Sequence, residues 1–174
     1  MYLSIMQGIK YILLIGIFGL STAIGLAISK TYENRVVELR EFKNILNMMK
    51  TKIKFTYEPL AEIFKQIANN NDTNVEKIFG QMANQITYYQ TRDVWENCIQ
   101  DADISINQED KDILKKLGKL LGQTDVDGQV SEIEVTEDFL NMQIEKAEED
   151  KKKNQKMYKT LGVTIGLIFV IILF

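Results

Sequence analysis

The chain has 174 residues, of which 45% are hydrophobic and 26% are charged, and its formal net charge is −3; this length allows one domain of ordinary size. It contains no histidine and one cysteine, Cys98, which excludes imidazole acid–base chemistry, histidine-ligated metals, internal disulfides and paired-cysteine motifs. Walker, Gly-x-Ser-x-Gly and HExxH motifs do not occur. We therefore predict no catalytic, cofactor-binding or metal-binding residues and no enzymatic activity, and we interpret Cys98 as a small core residue.

The charges are distributed unevenly, because residues 1–29 and 160–174 together carry one charged side chain, Lys10. The uncharged run between Lys10 and Lys30 contains 19 residues. As a helix it would cover about 28 Å, close to the thickness of the hydrocarbon core of a bilayer. A cleaved signal peptide is the alternative, with Ala27-Ile28-Ser29 as the cleavage site. The run is longer than the core of a signal peptide and basic residues follow it, so we predict an uncleaved membrane anchor.

The C-terminal apolar run, residues 160–174, contains 15 residues, or about 22 Å of helix, which is short for a membrane span. Tyr158 and Lys159 can extend it by reaching the bilayer interface. An amphipathic or core helix is the alternative, but the run has no polar face. Lysines precede this run as they follow the first one. Both chain ends are therefore predicted to lie on the outer, non-cytoplasmic side of the membrane, and the middle of the chain in the cytoplasm.

Both apolar runs carry small residues at four-residue spacing, which lets helix backbones approach closely in a membrane. Ser21, Gly25 and Ser29 form one row, and Gly162 and Gly166 form the other. We expect the two helices to pair, either within one chain or between chains.

Helical periodicity runs through the middle of the chain, where no long stretch alternates as a strand would. The predicted fold is therefore all-α. A cytoplasmic bundle of about six helices, over residues 30–157, is flanked by an N-terminal membrane segment over 1–29 and a C-terminal one over 158–174.

The first helix of the bundle is predicted over roughly residues 32–56. Its apolar face consists of Leu39, Phe42, Leu46, Met49 and Ile53. The opposite face carries Arg35, Lys43 and Lys50, with Arg40 at its border. This basic face could bind nucleic acid or anionic lipid. We favour lipid, because lysines beside a membrane segment need no other partner and the remaining surface is acidic, which disfavours nucleic acid.

Breaks and caps divide the rest of the bundle. Pro59 is predicted to open a second helix, and Thr73 forms a capping box with Glu76 at the start of the third. Thr91 and Asn107 are the predicted N-caps of the next two helices.

After Gly122, the predicted C-cap of the fifth helix, residues 123–134 resemble part of an EF-hand calcium loop. Five of them fall at loop positions 3, 5, 6, 8 and 12, namely Asp125, Asp127, Gly128, Val130 and Glu134. Position 1, where coordination begins, is Gln123, a neutral ligand. We interpret the segment as an acidic turn before a last helix that begins near Gln129. A membrane-anchored, calcium-responsive sensor is the alternative function.

Several motifs along the chain match, in order and spacing, those of one known family. The fifth helix ends in Leu-Gly-x-x-Leu-Gly, followed by an aspartate and a glutamine, and a Pro-Leu turn, a tryptophan and a late Leu-Gly lie elsewhere in the chain. The matched residues are Pro59, Leu60, Trp95, Leu117, Gly118, Leu121, Gly122, Asp125, Gln129, Leu161, Gly162 and Gly166. Over essentially its full length the chain resembles the stage III sporulation protein AB family, whose signature is LG-x-x-LG-x-x-D-x-x-x-Q.

The resemblance implies a helical domain similar to the platform domains of the type II secretion inner-membrane protein. It implies a non-catalytic role in a secretion-like complex between mother cell and forespore, in the mother-cell membrane that faces the forespore. The implied partners are a cytoplasmic secretion-type ATPase, stage III sporulation protein AA, and other membrane proteins of the complex. Membrane lipid and a second copy of the chain are further expected partners. For the ATPase contact we select the face that bears Arg35, Arg40 and Lys43.

Overall fold

The structure is a computed structural model that describes residues 2–69 and 72–173. Within those residues it contains α-helices and a π-helical turn but no strand, which confirms the all-α prediction. The elements are α1 (Tyr2–Thr51), the π-helical turn (Lys52–Thr56), α2 (Leu60–Ile67), α3 (Asn74–Gln85), α4 (Thr91–Gln100), α5 (Gln108–Leu117) and α6 (Val126–Leu173).

The chain divides into two compact units. Unit 1 consists of residues 1–33 and 148–174, and unit 2 consists of residues 34–147. Helices α1 and α6 contribute to both units, whereas α2 to α5 belong to unit 2 alone. The charged segment 148–157, which the sequence analysis assigned to the middle domain, groups with the apolar ends of the chain.

The helix ends in unit 2 agree with two of the four predicted caps. Thr73 and Asn107 both form capping boxes with the residue three positions on. The cap predicted at Thr91 is wrong, because Thr91 is already helical and Gln90 holds the extended backbone of the N-cap. The C-cap predicted at Gly122 is also misplaced. Helix α5 ends at Leu117, because the turn that follows it tightens to hydrogen bonds between residues three apart.

In unit 1, helices α1 and α6 pack against each other through their small residues. The hydroxyl of Ser21 donates a hydrogen bond of 2.7 Å to the carbonyl oxygen of Gly162. A Cβ atom on Gly25 would lie 2.8 Å from Cα of Gly162, and one on Gly166 would lie 2.9 Å from the ring of Phe18. The predicted pairing of the two rows is therefore confirmed, and it occurs within one chain.

The two helices of this pair run antiparallel. The rings of Tyr32 and Tyr158 stack with centroids 5.7 Å apart at one end. At the other end, Leu173 lines the same shallow groove as Lys10 and Leu14. The C-terminal run therefore lies alongside nearly the whole apolar run of α1, although it contains fewer residues.

Unit 2 is built around a cluster of buried aromatic rings. Trp95 lies 6.0 Å from Phe64 and 5.8 Å from Phe79, and Phe79 lies 6.3 Å from Phe42, measured between ring centroids. The predicted apolar face of α1 joins this core in full, since Leu39, Phe42, Leu46, Met49 and Ile53 are all buried. Cys98 is buried in the same core, as interpreted from the sequence, and burial raises the pKa of its thiol.

We expect the substitution Gly25→Ala to separate the two helices of unit 1. The added Cβ would lie 2.7 Å from the carbonyl oxygen of Tyr158 and 2.8 Å from Cα of Gly162, and backbone atoms cannot move aside as a flexible side chain can. The measurement is the yield of a disulfide between cysteines introduced at Leu14 and Leu173, which line one groove.

Gly16→Ala is the matched control, because no atom lies within 4 Å of the Cβ that it would add. Both variants are compared in a Cys98→Ser background, so that only the introduced pair can form a disulfide. The yield should fall for Gly25→Ala alone. Equal yields for the two alanine variants would contradict the pairing described above.

Candidate functional site

The first half of the Leu-Gly motif is a packing element of unit 2. Leu117 and Leu121 are fully buried. Gly118 lies against the indole of Trp95, where a Cβ atom would be 2.5 Å from Cδ1. The indole N–H of Trp95 donates a hydrogen bond of 2.7 Å to the carbonyl oxygen of Leu114. The tryptophan and the glycine therefore hold α4 against α5, and no larger residue fits at position 118.

The second half of the motif builds the turn between α5 and α6. Gly122 has φ +73°, a left-handed conformation that favours glycine. Its N–H donates to Oε1 of Gln129 at 3.0 Å, and Nε2 of Gln129 donates to the carbonyl oxygen of Thr124 at 3.0 Å. The carboxylate of Asp125 accepts a hydrogen bond of 2.9 Å from the N–H of Gly128, as an N-cap does. This cap is why α6 begins one turn before the position predicted from the sequence.

Motif residues that are far apart in the sequence meet in one surface groove of unit 2, with a volume of about 380 Å³. The α5–α6 turn, the α1–α2 turn and both ends of the α3–α4 loop line it. The lining residues are Ile53, Tyr57, Glu58, Pro59, Leu60, Ala61, Ile86, Thr91, Gly122, Val126 and Gln129. We call this site the motif groove. It joins the Pro-Leu turn to the glycine and the glutamine of the Leu-Gly motif.

Four aromatic side chains on the segments around the motif groove are between 67% and 80% exposed, namely Phe55, Tyr57, Tyr88 and Tyr89. Tyr57 lines the groove and Phe55 precedes it by two residues. Tyr88 and Tyr89 lie in the α3–α4 loop. Aromatic side chains gain most from burial in a partner, because they cover a large area with few rotatable bonds. Their exposure here marks a candidate protein-binding surface.

The α1–α2 turn beside the groove is strained and well anchored. Tyr57 has φ +52°, the one positive φ of a non-glycine residue in the described part of the chain, which costs roughly 1–3 kcal/mol. The residue after Tyr57 is Glu58, and its carboxylate accepts hydrogen bonds from Gln66 at 2.8 Å and from Lys52 at 3.3 Å. Desolvation raises the pKa of the Glu58 carboxyl group. The hydrogen bonds outweigh this effect, so the pKa lies below its usual value. Neighbouring charges and amides thus fix the turn that presents Tyr57.

The predicted partner-binding face of α1 is wrong at Arg35, which is only 9% exposed and cannot face a partner. Arg40 is exposed, and Lys43 is half-buried. None of these three residues lines the motif groove. The error has a physical cause: the period of the helix turns Arg35 towards a buried acid on α5, and the sequence alone does not identify that acid.

The buried acid is Asp110, and its ion pair with Arg35 joins α1 to α5. Nε of Arg35 donates to Oδ2 at 2.8 Å and a terminal nitrogen donates to Oδ1 at 3.1 Å. The same nitrogen lies 3.3 Å from Oε1 of Gln143 on α6. One turn further along α1, Glu38 accepts a 2.6 Å hydrogen bond from the N–H of Ser105, and burial raises the pKa of its carboxyl group. This network has a structural role and offers no surface to a ligand.

The calcium-loop hypothesis is also wrong. In an EF-hand, positions 1, 3, 5 and 7 wrap around the ion and position 6 makes a sharp turn, whereas residues 126–134, positions 4 to 12 here, form the first turns of α6. Asp125 at position 3 is engaged as a cap. No group of three or more acidic, histidine or cysteine residues suited to a metal ion occurs in the described part of the chain.

Comparison with known proteins identifies the family. The sequence model of stage III sporulation protein AB matches residues 10–174. The chain belongs to the stage III sporulation protein AB family. The stage III sporulation protein AB of Bacillus subtilis (strain 168) is 26% identical over 157 residues, which cover 88% of this chain and 92% of that protein. Family membership makes this chain a component of the stage III sporulation machinery.

A solved structure of a stage III sporulation protein AB has a similar fold. It superposes with a TM-score of 0.64 at 21% sequence identity, and the match covers 69% of this chain and 98% of the solved one. At this level of identity the similarity supports the fold of the stage III sporulation protein AB family and carries no information on the partner.

Sequence analysis missed the exposed aromatic residues on the segments around the motif groove. It gave no role to Phe55, Tyr57, Tyr88 or Tyr89. Tyr88 and Tyr89 are adjacent residues between two predicted helices, so at most one of them could point inwards. That adjacency in a predicted loop was the signal available from the sequence.

We expect Arg35→Met to destabilise unit 2 by about 3–5 kcal/mol, because it leaves the buried carboxylate of Asp110 without its cation. The double variant Arg35→Met/Asp110→Asn should recover much of this loss, since the amide carries no charge and its oxygen can still cap α5. The measurement is chemical denaturation of the full chain in neutral detergent, followed by the fluorescence of Trp95, the single tryptophan.

Arg40→Met is the control for this experiment, because Arg40 is exposed on the same helix and the ion pairs of exposed side chains contribute no more than about 1 kcal/mol. If Arg35→Met and Arg40→Met destabilise the protein equally, the buried ion pair has no special role in unit 2.

Proposed function

We propose that this chain is a membrane-anchored, non-catalytic platform of a sporulation secretion-like complex between mother cell and forespore. In this proposal unit 2 lies in the mother-cell cytoplasm and engages a secretion-type ATPase, stage III sporulation protein AA. The observation that carries the docking role is the motif groove, where four family-motif residues and the exposed ring of Tyr57 line one surface.

The two apolar helices support membrane anchoring. Windows of 18 residues in α1 and α6 have mean hydropathies of 2.3 and 1.7, and only 17% and 11% of these windows are buried within the protein. A core helix of a soluble protein buries most of its apolar side chains, whereas a membrane helix exposes them to lipid. Lysines next to the second run favour a cytoplasmic position for the neighbouring chain and attract anionic lipid. They are Lys151, Lys152, Lys153, Lys156 and Lys159.

The motif groove has the properties of a contact site for a protein partner. Its lining combines apolar side chains with a few fixed polar groups, and one lining residue, Tyr57, is 74% exposed. The strained backbone at Tyr57 presents this ring, and strain of this kind concentrates at functional sites. A partner that covers the ring would gain apolar burial without reordering the turn.

The basic face of α1 is the second candidate surface for the ATPase. Arg40 and Lys43 remain as proposed contacts, with Arg35 removed because it is buried. An exposed arginine next to a half-buried lysine would steer an acidic partner and would add a contact that weakens with salt. The two surfaces differ in chemistry, so variants can distinguish them.

The test is co-purification of the tagged ATPase with the full chain in neutral detergent. The groove variant is Tyr57→Ser/Tyr88→Ser, and the basic-face variant is Arg40→Glu/Lys43→Glu. We expect the groove variant to weaken binding by about tenfold or more, as loss of two aromatic contacts does at the centre of an interface. We expect the basic-face variant to have a smaller effect that disappears at high salt.

Met48→Ser is the control, because Met48 is an exposed apolar residue on α1 outside the motif groove. It should leave ATPase binding unchanged. Failure of the wild-type chain to retain the ATPase would reject the platform role. Retention by the groove variant, with loss in the basic-face variant, would move the contact to Arg40 and Lys43.

A further inference from the structure

A second unpartnered surface lies on the part of α6 that belongs to unit 2. Val135, Phe139 and Met142 are 46%, 50% and 56% exposed. Positions i, i+4 and i+7 lie on one face of a helix, so these side chains form a continuous apolar row. We call it the α6 row. None of its residues lines the motif groove, so the α6 row is a separate surface.

The α6 row borders a small hollow between α5 and α6. The hollow has a volume of about 60 Å³ and is lined by Ile113, Lys116, Glu132, Val135, Thr136 and Phe139. About 10–15 Å³ of such space holds one water, so the hollow has room for the end of one aliphatic side chain. A second helix could pack its apolar face along the row and insert one of its side chains into the hollow, as packed helices commonly do.

The borders of the α6 row are acidic. Residues 126–147 contain six acidic side chains and one basic side chain, Lys146. Glu132 lies on one side of the row, and Asp138 and Glu145 lie on the other, as the helical period places them. Lys146 follows Met142 by four positions and lies at the end of the row, where it is 3.2 Å from Glu109 on α5. Lys116 lines the hollow together with Glu132, so the excess of acidic side chains lies on the side of Asp138 and Glu145.

The charge of these borders decides which class of occupant fits. An anionic membrane surface would be repelled by Asp138 and Glu145. An amphipathic helix with aliphatic side chains on one face and lysines or arginines at its edges would match both the row and its borders. We propose that the α6 row binds one such basic amphipathic helix of a partner protein, with one of its aliphatic side chains in the hollow.

A second copy of the chain is a poorer match for the α6 row. The exposed apolar residues on the corresponding part of α1 are Val37 and Met48. They are eleven positions apart, so they cannot cover a row with the spacing i, i+4, i+7. The basic residues between them, Arg40 and Lys43, are three positions apart and do not form two edges.

The test uses the full chain in neutral detergent, with a fluorophore on Ser131→Cys in a Cys98→Ala background. Ser131 is exposed one turn before Val135. The probe is a synthetic helical peptide of about 18 residues, five turns, with leucines on one face, lysines at both edges and a quencher at one end. Quenching reports proximity to the α6 row, so peptide that is bound only to detergent gives no signal. A matched peptide carries glutamate in place of every lysine.

We expect the lysine peptide to bind more tightly than the glutamate peptide, and its binding to weaken with salt. Phe139→Ser and Asp138→Lys/Glu145→Lys should each weaken it by about tenfold or more. Val37→Ser/Met48→Ser is the matched control, because it removes exposed apolar side chains from α1, and it should leave binding unchanged. The charge-reversed variant should bind the glutamate peptide better than the wild-type chain does.

Equal binding of the two peptides, or unchanged binding to Phe139→Ser, would overturn the proposal. Light scattering of the wild-type chain without peptide tests the other occupant. If the chain forms dimers that Phe139→Ser abolishes, the row binds a second copy, and the assignment to a partner helix is wrong. Because Phe139 lies outside the motif groove, these outcomes are independent of ATPase binding.

Discussion

The antiparallel contact between α1 and α6 is the interaction on which both compact units depend. In unit 1 the backbones of the two helices approach closely at Gly25 and Gly162. The apolar runs contain no charged side chains that could form ion pairs between the helices. In unit 2 the same two helices are joined by charge, and Nζ of Lys50 lies 2.7 Å from Glu137. One helix pair thus uses close backbone packing where side chains are apolar and hydrogen-bonded ions where they are charged.

Within unit 2, structural and interaction roles fall on different residues of the same motif. Trp95 occupies the space that a side chain at position 118 would need, so this part of the motif serves packing. Gly122 and Gln129 shape a turn that opens onto solvent in the motif groove. The buried ion pair of Arg35 and Asp110 holds α1 against α5. Because these two charges are buried and paired with each other, they are not accessible to a partner protein. The contact proposed at the motif groove therefore rests on loops and turns, which is where a rigid helical frame commonly presents its contacts.

Much of this fold could be predicted from the sequence, because its signals are local and repetitive. The apolar spacing in α1 identified its buried face, and the small residues at Gly25 and Gly162 identified the helix pair. The errors arose where a distant residue decides the outcome. Arg35 appears solvent-facing until Asp110, 75 positions away, is placed beside it. The motif groove was equally hidden, because it exists only once three separate turns meet in space, and the exposure of Tyr57 depends on a single left-handed residue.

The most direct test of the account is the topology of the helix pair, measured by cysteine labelling in a Cys98→Ala background. One variant carries a cysteine at Leu173, near the C-terminal end of α6, and the other at Asn44, exposed on α1 in unit 2. In right-side-out vesicles, a membrane-impermeant reagent should label the cysteine at 173 directly and the one at 44 only after permeabilisation. Protection at 173, or direct labelling at 44, would contradict the proposal that the helix pair spans the membrane with unit 2 in the cytoplasm.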